Sequence, residues 1–378
     1  MPTHLFVAPS TQSFGELVLG LRIAEALKQR GDQVLFLAPA ANEVLFRDAG
    51  IKHAHIDPLL PVFDRALLQA IRASRCDSVV LVDLLVTVFA LMSRRIDPAI
   101  LDRLPVPVYG LDIWDLRRGA LRVDLNAGAI DLPDSVRRIV PRRLVPVPFA
   151  NLDAVGAYDA LPAPSSGASR TPTRDALGLG EADRLVLITT SGFQSVAATP
   201  AQRRLLTAVP AHIVDLCLRV GDRVRVLHVG PESIANTGSR YRYQPPVPGP
   251  EYRRLLEAAD LMVNMNQSAT SIGTALAADL PTLVATSAAP LDTPNVVPFA
   301  FRVFPFGLVA FMSTLLQNNP YLDAVPDAEI SPGDSFVDAA RSLLFDGRAR
   351  ADAVARIRAY VARVRALPTV TSVLDNLR

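Results

Sequence analysis

Cysteine is nearly missing from this sequence: Cys76 and Cys217 are the only two among 378 residues. Two thiols cannot build a disulfide framework or a four-thiolate zinc site, so a reducing cytoplasm is the expected compartment. Aromatic residues make up only 6%, and no charge dominates, since 39 Lys+Arg face 37 Asp+Glu for a formal net charge of +2. That near-balance removes any need for nucleic acid or another polyanion as a partner. Long apolar runs are absent as well. The stretch 79–92 is interrupted by Asp83, and 296–312 carries Arg302 and two prolines; neither matches the roughly 18 uninterrupted residues of a membrane span. The opening MPTHLFVAPSTQSFG has no basic region followed by a long apolar core, so no signal peptide is expected. Neither a GxGxxG nor a GxxxxGK[ST] pattern occurs, which disfavours nicotinamide-binding enzymes and P-loop nucleotidases.

What the sequence does contain is alternation. HLFVAP at 4–9 is a compact apolar run, after which Leu17, Leu21, Ala24 and Leu27 recur at helical spacing and Gly31 supplies a C-terminal stop. QVLFLA at 33–38 reads as a second strand, 42–49 as a short helix stopped by Gly50, and 53–56, 78–82 and 106–111 as further strands. Strands separated by helical stretches imply βαβ crossovers and a parallel sheet covered on both faces. Between 161 and 174 the chain reads LPAPSSGASRTPTR, with almost nothing to bury, which suggests a linker. The alternation then restarts, with strands expected at 184–190, 224–229, 261–264 and 282–285, and helices near 201–219, 251–258 and 270–278. A helical tail follows over 333–366. The expected organisation is therefore an α/β domain over 1–160, a linker over 161–180, a second α/β domain over 181–350, and C-terminal helices over 351–378 that pack back toward the first domain. The 31 prolines fit this plan: Pro9, Pro39 and Pro281 fall at strand or helix exits, and Pro162, Pro164 and Pro172 stiffen the linker.

In open parallel sheets, ligands bind beyond the carboxyl ends of the strands, where helices begin. This rule selects three loops. The first, 9–16, contains Gly15 and Glu16; a carboxylate at the start of a helix is placed to act as a general base, although it also simply complements the helix dipole. The second, 264–276, gathers Asn266, Gln267, Ser268, Thr270 and Ser271 where a strand gives way to a helix, a combination suited to phosphate. A single N-cap accounts for one of these residues but not all five. The third loop contains Ser191, Gly192 and Gln194, with an ordinary βα turn as the plainer account. Asp83 and Asp112 each follow an apolar strand and are candidates for the same site as Glu16. Tyr243 and Gln244 are weaker candidates for contact with a nucleobase. Of the five histidines, His53 and His55 stand two apart on an expected strand and His228 lies within another. None has metal-ligand spacing with a partner, so no metal is expected. The arginines 117, 118, 122, 137, 138, 142 and 143 read as a solvated face.

The arrangement resembles the GT-B glycosyltransferases over most of the chain. Phe14-Gly15-Glu16 followed by LVLGLRIAEALKQRGDQVLFLAP is similar to that family's opening strand–loop–helix–strand, with Arg30-Gly31-Asp32-Gln33-Val34 at its turn. YRRLLEAADLMVN at 252–264 and SIGTALAADLP at 271–281 resemble the elements beside the donor phosphates. The resemblance implies two Rossmann-like parallel-sheet domains facing a cleft. It also implies inverting, metal-independent transfer of a sugar from a nucleotide-activated donor to a small-molecule acceptor, as in bacterial natural-product metabolism. Glu16 would be the general base, Asp83 or Asp112 would orient the acceptor, and Gly15, the third loop and the second loop would contact the donor. No cofactor is implied beyond the nucleotide sugar itself, and homodimerisation is left open. One departure matters: Thr274 stands where the family's helix usually has a glutamate that grips the ribose. Two alternatives therefore stay open, a nucleotide-sugar 2-epimerase or hydrolase on the same fold, and a catalytically degenerate binding module.

Overall fold

The computed structural model describes residues 1–9, 14–56, 63–82, 84–92, 95–113, 122–125, 128–131, 142–148, 150–190, 200–234, 238–287, 319–331 and 333–377. The chain forms two compact units, one comprising Met1–Val123, Ala129–Ala160 and Val364–Arg378, the other Asp124–Gly128 and Leu161–Arg363. Each is built as the alternation of apolar strands and helices dictates.

In the first unit, strands β1 (Thr3–Val7), β2 (Gln33–Ala38), β3 (Lys52–His55), β4 (Ser78–Leu81) and β5 (Val108–Leu111) follow one another through helical crossovers. The short strands β6 (Arg122–Leu125) and β7 (Gly128–Asp131) pair only with each other. Then β8 (Arg143–Val147) and β9 (Ala157–Asp159) complete a seven-stranded, all-parallel sheet of order β3-β2-β1-β4-β5-β8-β9. Leu5, Phe6 and Val7 on the central strand are fully buried, and a ladder of rings runs outward through Phe6–Phe36 (4.8 Å) and Phe36–Phe46 (4.9 Å). Helix α1 (Phe14–Gln29) lies unusually close to the sheet: a Cβ on Gly20 would stand 2.9 Å from Val82. Pro146 lies inside β8, although proline as a rule avoids paired strands. It fits because alternation turns position 146 toward β5, which has already ended at Leu111, while Val145 donates to Gly156 on the other side (2.9 Å). The C-terminal helix Val370–Asn376 buries Val370, Val373 and Leu374 in this unit's core.

The second unit repeats the plan with β10 (Arg184–Thr189), β11 (Val224–Val229), β12 (Tyr241–Gln244), β13 (Leu261–Asn264), β14 (Thr282–Thr286) and β15 (Asp327–Glu329). All pairs are parallel and the order is β12-β11-β10-β13-β14-β15. Counted within the unit, this is 3-2-1-4-5-6, the doubly wound order whose direction reverses between the first and fourth strands. The reversal falls between Thr189 at the end of β10 and Asn264 at the end of β13.

The stretch expected to be a linker belongs to this second unit and is ordered. Residues 161–174 lead into the helix Arg170–Ala176. Ser165 and Ser169 both donate to the Glu257 carboxylate, while Arg170 and Arg174 reach Asp260 at 2.5 and 3.0 Å. Burial raises the Glu257 carboxyl, but the two serine hydroxyls outweigh it and hold the group below its ordinary value. A segment with few apolar residues is thus fixed largely by charge and hydroxyls, an interaction that hydrophobic pattern does not register.

Candidate functional site

Thr189 and Thr190 end β10, and a chain of polar contacts fixes them. His228 on β11 is 1% exposed, with Nε2 2.7 Å from Thr190 Oγ1 and Nδ1 3.1 Å from the Tyr241 hydroxyl. Burial pushes this imidazole down to about 4, so it is neutral at physiological pH. Tyr241's oxygen already accepts the Ile234 N–H (3.1 Å). The two ring nitrogens thus bridge the Thr190 and Tyr241 hydroxyls, and among the described residues no second partner engages the Thr190 hydroxyl. Gly230 is required beside this chain, because a Cβ there would come within 1.9 Å of Thr190 Oγ1.

Across the reversal, Asn264 organises the loop that follows β13. Its Oδ1 accepts the Asn266 N–H (2.9 Å), and its Nδ2 donates to Ser271 Oγ (3.1 Å). Asn266 Oδ1 in turn accepts from the Ser268 amide (2.9 Å) and hydroxyl (2.8 Å). The helix Thr270–Ala277 begins at Ala269, which offers no side-chain cap, so its first amides and the positive dipole end carry no side-chain acceptor there. Gln267 is 1% exposed, and neither atom of its amide has a hydrogen-bond partner among the described residues. Its backbone carbonyl is held by the Tyr321 hydroxyl at 2.6 Å. Leaving such an amide unpaired costs on the order of 1–3 kcal/mol per group, and the described residues supply no interaction that offsets it.

The five residues proposed for phosphate therefore do come together at one strand end. Tyr243 and Gln244 lie on the edge strand β12, where Tyr243 donates to the Gly230 carbonyl (3.1 Å) and Gln244 to Glu251 (2.9 Å). Ser191, Gly192 and Gln194 lie outside the described residues, as does Asp83. The sequence places Thr190 in the third loop, which spans 189–195, without singling it out, and reads His228 as a packing or surface residue. The signal was present in the polar His228 within VRVLHV, but its meaning depends on a neighbouring strand.

In the first unit, Gly15 and Glu16 occupy the first turn of α1 beyond β1, and both are half-buried. Asp112 follows β5 but is 1% exposed and paired with the buried Arg143 at 2.7 Å. A carboxylate so engaged positions backbone and side chains and is not placed to exchange a proton with a ligand. Gly156 (φ +86°) lets the chain pass within 2.3 Å, measured from a notional Cβ, of the Arg143 carbonyl. Among the described residues, no helix is long and apolar enough to cross a membrane.

No curated protein matches the chain. Solved structures do, along its whole length. The spinosyn rhamnosyltransferase SpnG complexed with thymidine diphosphate is 15% identical, covers 100% of each chain and has a TM-score of 0.55. The glycosyltransferase SnogD from Streptomyces nogalater is 17% identical, covers 100% of this chain and 98% of its own, and has a TM-score of 0.55. HepE from Anabaena in complex with UDP-glucose is 13% identical, with 100% and 98% coverage and a TM-score of 0.56. At these identities the likeness establishes the fold, which is that of the GT-B glycosyltransferases. Residues 23–377 match the family described as "Family of unknown function (DUF6365)", and with nearly the whole length matched, this chain belongs to that family.

Proposed function

We propose that this protein transfers a sugar from a nucleotide-activated donor to a small-molecule acceptor, with inversion at the anomeric carbon. The observation that carries the reading is the loop after β13, where the buried Gln267 amide, without partners among the described residues, adjoins a helix start without a side-chain cap. Helix-end amides with Ser268, Thr270 and Ser271 suit a diphosphate, and Thr190 would add a hydroxyl held in place by His228. Charge neutralisation by amides and hydroxyls needs no divalent ion. Tyr243, its hydroxyl engaged, would offer its ring to the base, and Gln244 would lie beside it. Ser191, Gly192 and Gln194, which follow Thr190 directly in the sequence, would contribute to the same donor site.

The acceptor would bind the first unit. There Glu16 would take the proton from the acceptor hydroxyl as its oxygen bonds to the anomeric carbon and the bond to the departing diphosphate breaks. Asp83 would orient the acceptor, and Asp112 would act indirectly by holding Arg143. The structural relatives support the donor class: SpnG was solved with thymidine diphosphate and HepE with UDP-glucose.

The test is calorimetric titration with thymidine, uridine, guanosine and cytidine diphosphates. Saturable binding of one of them is expected, and indifference to all four refutes the reading. Thr274, half-buried on the helix Thr270–Ala277, favours a second reading in which the chain binds but does not transfer. Nucleotide binding with no release of diphosphate from any nucleotide sugar, with or without acceptor, would select that alternative.

A further inference from the structure

Away from both strand ends just described, the first unit gathers two histidines and a carboxylate at its sheet edge. β3 is the outermost strand, and residues two apart on a strand share a face, which brings His53 and His55 side by side with ring centroids 5.4 Å apart. Glu43 joins them from another element, as the first residue of the short helix α2 (Glu43–Asp48). The ligating atoms of all three lie within 4.8 Å of one another.

The structure assigns to Glu43, His53 and His55 a binding site for a divalent transition-metal cation of the zinc class. Two imidazoles and one carboxylate are a donor set that zinc accepts, with a fourth position left to water. His53 is already oriented for it. Its ring stacks on the fully buried Phe46 (5.1 Å), and its Nδ1 faces the Ile51 carbonyl at 3.5 Å. That leaves Nε2 for a metal and gives Nδ1–H the backbone carbonyl that metal-bound histidines commonly use. Tetrahedral ligands at zinc distances stand about 3.3 Å apart, so the side chains must close in by up to about 1.5 Å. His55 is exposed and the Glu43 side chain is 46% exposed, so both can swing. Glu43's present partner is Arg47 at 3.4 Å, itself 72% exposed; such surface pairs contribute little and yield to a cation.

The other soft donors are committed. His4 is held by Ser78 and Asp32, His212 by the Ile330 carbonyl, and His228 by Thr190 and Tyr241. Cys76 and Cys217 are buried, which pushes both thiols up and away from the thiolate form. One site per chain is therefore the expected stoichiometry. A bound ion would tie the edge strand to α2.

The experiment is calorimetric titration of Zn2+ at pH 7.5 into the full-length, chelator-treated chain without an added histidine tag, with Mg2+ as the hard-cation control. The expected result is one saturable Zn2+ site and no Mg2+ binding. His55→Ala and Glu43→Gln, both at surface positions, should each weaken Zn2+ by about tenfold or more while leaving the circular dichroism spectrum unchanged. Absence of saturable Zn2+ binding, or undiminished binding in both variants, overturns the assignment.

Discussion

Replacing His228 with glutamine should remove a pH dependence of stability that the wild-type chain carries between about pH 6.5 and 4. The imidazole is 1% exposed, and burial lowers it to about 4, whereas in an unfolded chain a histidine protonates near 6.5. Across that window the unfolded chain takes up a proton that the folded chain refuses. The stabilisation is complete above about 6.5, falls as the pH drops, and levels off once the folded imidazole titrates near 4. About two and a half units at 1.36 kcal/mol each give a loss of about 3 kcal/mol. Glutamine is chosen because its amide can still donate toward Thr190 while lacking a titrating group. The assay is urea unfolding at pH 7.5, 6.5, 5.5 and 4.5, comparing wild type with His228→Gln. The carboxylates held low by their partners, Asp32 against burial by Arg30 and Glu257 against burial by its serines, lose their contributions only at lower pH and are common to both proteins. If the two stability curves stay parallel from pH 7.5 to 4.5, the buried neutral imidazole, and with it the hold on Thr190, is refuted.

Three further outcomes follow from the same geometry. Glu16→Gln should lower the transfer rate by about 10²–10⁴ and leave nucleotide affinity unchanged; an unaltered rate removes Glu16 as the base. Thr190→Val, which keeps the shape but deletes the hydroxyl, should weaken nucleoside diphosphate binding by about 1.5–3 kcal/mol, and Thr190→Ser should restore it, both read by calorimetry. Asp112→Asn leaves the Arg143 guanidinium buried beside a neutral partner and should cost about 3–5 kcal/mol of stability in urea unfolding; a loss under 1 kcal/mol would mean that the pair is dispensable.

Much of the fold was legible because it rests on local pattern. QVLFLA at 33–38, VRVLHV at 224–229 and LMVN at 261–264 are strands at the expected residues, since runs buried on both faces of a parallel sheet must be continuously apolar. β8 and β9 were not anticipated: Pro146 hides the first, and Ala157–Asp159 is only three residues long. The ordered 161–174 stretch was misjudged for a related reason, as its order comes from Glu257 and Asp260, some 90 positions away in the chain.

For the candidate site, the sequence by itself determined which loops stand at strand ends, and hence the cluster Asn266–Ser271 and the place of Glu16. Those follow from the order of strands and helices, a one-dimensional property. Only the tertiary structure decided what each polar residue does there. Asp112 became a partner of Arg143, His228 became the buried bridge between Thr190 and Tyr241, and Gln267 was left buried without a partner among the described residues. It also brought Glu43 to His53 and His55. The role of a polar side chain is set by which groups approach within about 3 Å and by how much water remains, and both are fixed by parallel pairing between strands distant in sequence.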